Sequence, residues 1–201
     1  MINESRDEGV VKYQVVHLNG GMVPNSFLSD LDKFRTKLFD LGLIGVYPDG
    51  IGFGNVSIKH NDGCIISGTS TGAARVLGIS GYCYVRNFNL QRNSVLTEGP
   101  VNASSEAMTH CAIYKANPQV QCVLHIHNLK LWEDLLGQGC KSTPADIPYG
   151  TPQMAQSIAE FVSAADLPDG LLVMAGHEEG IVAYGETILK AFDQIKVLTR
   201  F

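Results

Sequence analysis

Ser104-Ser105-Glu106 opens one stretch of this sequence and His125-Ile126-His127 closes it. Between them, Ser105 to Ala116 has helical spacing, and Asn117-Pro118 is a helix stop. The β-branched and apolar run Val120-Gln121-Cys122-Val123-Leu124 then predicts a strand that carries both histidines. Residues two apart on an extended strand share a face, so His125 and His127 can chelate one ion. Cys122 lies an odd number of residues from either histidine and is expected to point the other way, which argues against it as a third ligand. The spacing leaves two readings open, a pair of satisfied core histidines or part of a metal site.

Upstream, Pro24-Asn25-Ser26 announces a helix, with Phe27, Leu28, Leu31, Phe34, Leu38 and Leu41 at helical spacing. Residues 1–23 read as an N-terminal tail leading into an edge segment. Tyr47-Pro48-Asp49-Gly50 is a turn and Gly52-Phe53-Gly54-Asn55 a loop. Asn61-Asp62-Gly63 joins Val56–His60 to Cys64–Ser67 as a hairpin. Further strands are expected over Tyr82–Phe88 and Ser94–Thr97. Downstream of the histidines, helices are expected over Lys130–Leu136, Pro152–Ala165 and Glu186–Phe201. Strands Leu171–Met174 and Ile181–Tyr184 flank Gly176-His177-Glu178-Glu179-Gly180. Early hairpins followed by interleaved helices predict a layered α/β fold with a central, largely antiparallel or mixed sheet.

Composition narrows the function classes. A chain of 201 residues with 45% apolar content fills one domain well and two poorly, so residues 1–201 read as one unit. The net charge of −5, with no basic block, argues against nucleic acid and against an anionic membrane surface. No apolar run approaches a membrane span, and the polar start is not that of a signal peptide. Cysteines 64, 83, 111, 122 and 140 are odd in number and lack metal-knuckle spacing, which fits reduced thiols in a cytoplasmic protein.

Several landmarks occur in one order: Gly54-Asn55-Val56-Ser57, the glycine-rich turn Ser67-Gly68-Thr69-Ser70-Thr71-Gly72, Ser104-Ser105-Glu106 with His110 and Tyr114, His125-x-His127, and a late His177. The ordered set resembles the class II aldolase/adducin family, typified by fuculose-phosphate and rhamnulose-phosphate aldolases, over roughly Phe27 to Phe192. The resemblance implies a metal-dependent aldehyde-lyase. His125, His127 and His177 would bind Zn2+ or another divalent transition metal, and Glu106 would be the acid/base. Asn55, Thr71, Gly72, Ser104 and Ser105 would cradle the phosphate of a sugar phosphate. It also implies a homotetramer acting on a small-molecule substrate through an enediolate. Three neutral imidazoles leave a coordination position open, and a helix N-terminus beside a glycine-rich turn favours an anion.

Bland roles stand beside these. His110, one turn after Glu106, fits packing or support of a ligand better than ligation. His17 and His60 fall outside the constellation. Asn55 and Ser57 could cap a loop, and Ser104 and Ser105 could cap the helix.

The sequence departs from the family pattern where Glu178-Glu179 separate His177 from Gly180. On an extended chain Glu179 would share a face with His177 and reach the metal. The chain ends at Phe201 without the tail that carries a catalytic tyrosine in some members, which leaves Tyr149, Tyr184 and Tyr47 as candidate proton donors. A dehydratase of the same family and a non-catalytic scaffold like the adducin head are the alternative readings.

Overall fold

The computed structural model describes residues 9–20, 28–165 and 167–198. In chain order the strands are β1 (Gln14–Leu18), β2 (Gly45–Val46), β3 (Gly52–Phe53), β4 (Asn55–His60) and β5 (Gly63–Ser67). They continue with β6 (Tyr82–Asn89), β7 (Ser94–Glu98), β8 (Cys122–His127), β9 (Gly170–Val173) and β10 (Gly180–Gly185). The helices are α1 (Ser29–Asp40), α2 (Ala107–Ala116), α3 (Leu129–Gly137), α4 (Pro152–Ser163) and α5 (Ile188–Lys196).

Asn61 takes φ +49°, a conformation asparagine tolerates, and the two-residue turn pairs His60 with Gly63 across β4 and β5. The meander continues antiparallel through β6 and β7. Among the described residues eight strands form the main sheet in the order β1-β7-β6-β5-β4-β8-β10-β9, and only β1 and β7 run parallel. The expected layered α/β architecture is therefore present, with a central sheet that is antiparallel but for one edge pair.

Two cores enclose the sheet. On one face Met108, Cys111, Ile113 and Tyr114 of α2 and Met154, Ile158 and Val162 of α4 pack on Val123 and Val182. On the other, Leu31 and Leu38 of α1, Leu135 of α3 and Ala191 and Ile195 of α5 pack on Cys122, Leu124 and Ile126. Strand β8 is buried along its whole length, and its alternation sends Cys122 to the second core, away from the face of the two histidines.

Several boundaries differ from expectation. Residues 52–55 are not all loop: β3 pairs with β2, and Gly54, at φ +72°, turns the chain from that hairpin into β4 at Asn55. Helix α2 starts at Ala107, not Ser105, because Ser104 first closes a turn; its Oγ accepts from Glu106 N at 3.4 Å and its carbonyl from Ala107 N at 3.0 Å. Helix α5 starts after Thr187, whose hydroxyl accepts from Lys190 N, so Glu186 lies outside it. The N-terminal edge segment is β1. The polar tail over residues 1–8 and the helix signal at 24–27 lie outside the described residues. Among the described residues no helix is long and apolar enough to cross a membrane.

Candidate active site

Strand β8 lies between β4 and β10, which fixes what its histidines face. His125 stands opposite Asn55 on one side and Val182 on the other, and His127 opposite Gly180. His177 comes from the turn between β9 and β10, closed by His177 N to Met174 O at 3.0 Å and Gly180 N to His177 O at 2.9 Å. Its ring lies over Gly180, where a Cβ would collide with it and push the imidazole from its place, so glycine suits this position.

The three imidazoles converge on their Nε2 atoms. His127 Nε2 lies 3.0 Å from that of His125 and 3.1 Å from that of His177. Chemistry sets the tautomers of the first two. A carbonyl only accepts, so His125 Nδ1, 3.2 Å from Ile181 O, carries the proton. Tyr47 donates its hydroxyl proton to Glu179 Oε2 at 2.7 Å, so its oxygen accepts from His127 Nδ1 at 2.9 Å. Both Nε2 atoms are thus lone-pair acceptors turned towards each other, an arrangement a cation relieves. Nitrogens around a tetrahedral ion at about 2.0–2.1 Å stand roughly 3.3–3.4 Å apart, close to the spacings found. Burial pulls His125 down to about 4 and His177 well below the ordinary histidine value, the latter aided by His125 and Lys12. Neutral imidazole is the form that binds metal. The donor set fits a divalent transition metal, and among the described residues it is these three whose ligand atoms cluster for one.

Glu106 is the residue just before α2, 2% exposed, and neither carboxylate oxygen has a hydrogen-bond partner. Burial pushes its pKa up to about 7. Thr109, Lys12 and the Gly150 backbone oppose that shift from nearby, without hydrogen-bond geometry to either oxygen. Lys12 acts on both Glu106 and His177, so the two share its neighbourhood. His110 is fully buried and is not among the clustered ligand atoms. Its Nδ1 meets Ser57 Oγ at 2.7 Å, which also meets Tyr114 OH at 2.7 Å. This polar string braces α2 against β4 beneath the histidines.

Asn55, Thr71, Gly72, Ser104 and Ser105 all line one cavity of about 360 Å³. Among the described residues its lining has no ionisable side chain; amides, hydroxyls and the N-terminal end of α2 are the polar groups it presents. Asn55 is 6% exposed and its Oδ1 has no partner. Gly72 packs on the carbonyl of Gly45 with no room for a Cβ, which draws the turn down onto the β2–β3 hairpin. Arg35 of α1, buried to 1%, holds this turn from behind. Its guanidinium donates to Thr71 O at 3.1 Å, Arg75 O at 3.0 Å and Ala74 O.

The candidate tyrosines separate. The Tyr149 ring lies 4.5 Å from that of His177, and its hydroxyl accepts from Val10 N at 3.2 Å. Tyr184 pairs with Val123, four residues along β10 from Gly180 and so roughly 13 Å from His127. Tyr47 serves the outer nitrogen of His127. Glu179 does not share a face with His177: the chain is turned, not extended, and at φ +68° Glu179 sends its carboxylate to Tyr47.

Sequence reasoning missed Lys12, Tyr13 and Arg35. Lys12 Nζ sits 3.9 Å above the Tyr149 ring, and Tyr13 OH donates to Ser104 O at 2.9 Å. Both arrive from an N-terminal segment with no motif of its own.

A family model described as class II aldolase and adducin N-terminal domain matches residues 49–201. No curated protein matches the sequence. Solved structures of similar fold include YgbL from Klebsiella pneumoniae, described as a putative aldolase, epimerase or decarboxylase (19% identity, TM-score 0.64, covering 90% of this chain and 88% of that one). L-fuculose-1-phosphate aldolase from Thermus thermophilus is 19% identical, with TM-score 0.61 over 87% of this chain and 89% of that one. A sugar-phosphate aldolase from Thermotoga maritima is also 19% identical, with TM-score 0.62 over 87% and 91%.

Proposed function

The chain belongs to the family of class II aldolases and adducin N-terminal domains, and from that premise we propose that it is a zinc-dependent lyase cleaving a carbon–carbon bond of a small hydroxycarbonyl compound, a sugar phosphate. What carries this reading is the meeting of three converging imidazoles, a buried carboxyl titrating near neutrality and a cavity of neutral donors.

His125, His127 and His177 would hold the ion, which when bound would supply Lewis acidity towards a carbonyl. Asn55, Thr71, Gly72, Ser104 and Ser105 bind the phosphate and orient the chain attached to it. Glu106 returns a proton to the carbon that the departing fragment leaves behind. A carboxyl poised near pH 7 gives and takes a proton with little penalty, and the burial that poises it also keeps water off the reacting carbon. Tyr149, beside His177, exchanges the proton of the oxygen that becomes the aldehyde. Lys12 lends positive charge to both the carboxylate and the substrate. A non-catalytic scaffold gives no reason for converging acceptors or an unpartnered buried carboxylate. Loss of water would use the same parts, and product analysis with a panel of sugar phosphates separates it from cleavage.

Metal content of protein prepared without chelator tests the reading first. No bound divalent transition metal, and none taken up on addition, would end it. Glu106→Gln should then keep the metal and lose roughly 10²–10⁴-fold in turnover. We further propose a homotetramer in the cytoplasm, which a monomer by light scattering would overturn.

A further inference from the structure

Of the two residues that break the family pattern, Glu178 and Glu179, the second has a use in this fold. Glu179 sits at φ +68°, a conformation that costs a side chain of this kind about 1 kcal/mol or more. Its backbone carbonyl accepts from Asn128 N at 3.1 Å, which ties the turn to the end of β8 just past His127. From there its carboxylate takes the hydroxyl proton of Tyr47 at 2.7 Å. Tyr47 is itself fixed: Gly50 N donates to its carbonyl at 2.9 Å, its own N–H reaches Ile51 O at 2.8 Å, and its ring packs 4.4 Å from that of Phe53. Its oxygen, already a donor to Glu179, can only accept at 2.9 Å from His127 Nδ1.

We propose that Tyr47 and Glu179 are positioning residues that act on the metal through His127. This rests on the reading that the histidines bind a metal. A carboxylate at the end of the string pulls the phenolic proton, which makes the phenolic oxygen a better acceptor for the imidazole N–H. That in turn makes Nε2 a stronger donor and locks its ring in the ligating tautomer. Glu179 thereby reaches the ion at one remove. It strengthens the ligand without occupying a coordination position or putting a carboxylate in front of an anionic substrate. It also accounts for a tyrosine close to the site yet turned from it.

The test is metal affinity, measured by titrating metal-free protein with Zn2+ against a competing chelator. Tyr47→Phe should weaken binding roughly 10–100-fold, the usual effect of losing such a partner. Glu179→Gln keeps an acceptor for the phenol but removes its charge, and should weaken binding less. The double variant should match Tyr47→Phe, because Glu179 acts only through the phenol.

Cobalt loading supplies a signature that general loosening would not give. In the Co2+ protein the ring N–H of His127 should exchange slowly with solvent, and in Tyr47→Phe that signal alone should exchange fast. Variants that bind Zn2+ as tightly as the parent overturn the inference while leaving the proposed function standing. So does a Glu179 effect that persists undiminished in the Tyr47→Phe background, which would make Glu179 a direct ligand. A parent protein that takes up neither Zn2+ nor Co2+ removes the metal reading itself.

Discussion

Cys122, Leu124 and Ile126 look one way from β8 and the histidines look the other, and the two sides of the sheet are built differently. Behind Leu124, helices α1, α3 and α5 close a core of aliphatic and aromatic side chains. Before His125, the layer between the sheet and α2 holds Ser57 from β4 with Glu106, Thr109 and His110 from α2 and its start, all buried. Buried side-chain atoms without partners concentrate there as well: among the described residues, all but Asn93 Oδ1 belong to Asn55, Glu106, Thr109 and His110. Buried polar atoms left unpaired cost stability, so the aliphatic face pays for the chemistry of the polar one.

The division can be broken most directly on β8. Leu124→Ala, fully buried in the aliphatic core, should lose about 2–5 kcal/mol in denaturant unfolding. His127→Ala, three residues on and facing the opposite side, should lose Zn2+ affinity by several orders of magnitude and cost less metal-free stability than Leu124→Ala, because it also removes one of two facing lone pairs. If the two variants exchange these phenotypes, the faces are not specialised.

A smaller effect concerns Glu106 in metal-free protein. Its folded-state pKa, raised from 4.5 to about 7, means the native state holds the proton more tightly than the unfolded chain. The stability this confers is complete below about pH 4.5 and is lost as pH rises through 7, a change on the order of 3 kcal/mol. Glu106→Gln has no such loss. Its thermal midpoint should gain on the parent as pH is raised from 4.5 to 8, and a constant difference across that range would refute the buried-carboxylate account.

The smallest change sharpens the comparison. Ser57→Ala removes the shared partner of His110 and Tyr114 and should cost about 1–3 kcal/mol. Zn2+ affinity should stay within a few-fold of the parent, because His110 braces α2 and binds no metal. A large fall in affinity would return His110 to the ligand set.

Features set by local pattern were legible in the sequence. Asn61-Asp62-Gly63 announced its hairpin, and the alternation along residues 120–127 placed two histidines on one face with Cys122 behind them. The grouping of Asn55, Thr71, Gly72, Ser104 and Ser105 followed from resemblance, and the five do line one cavity. What escaped depends on contacts between distant residues or on backbone twist. Glu179 was expected on an extended chain, but a single left-handed residue redirects it to Tyr47, 132 positions earlier. Lys12 and Tyr13 reach the site from a segment that no motif distinguishes. The parallel pairing of β1 was equally hidden, since an edge strand exposed on most of its length carries no burial pattern to read.

That edge strand has a consequence during synthesis. Its partner lies far along the chain: His17 pairs with Thr97, 80 residues later. At about 5–20 residues per second, a ribosome needs roughly 4–16 s to complete the partner after the strand itself is made. Throughout that interval Val15, Val16 and Leu18 lack the strand they pair with, and they stay partly exposed even in the finished fold. Closure of this edge of the sheet therefore waits on the synthesis of β7, however early β1 itself is made.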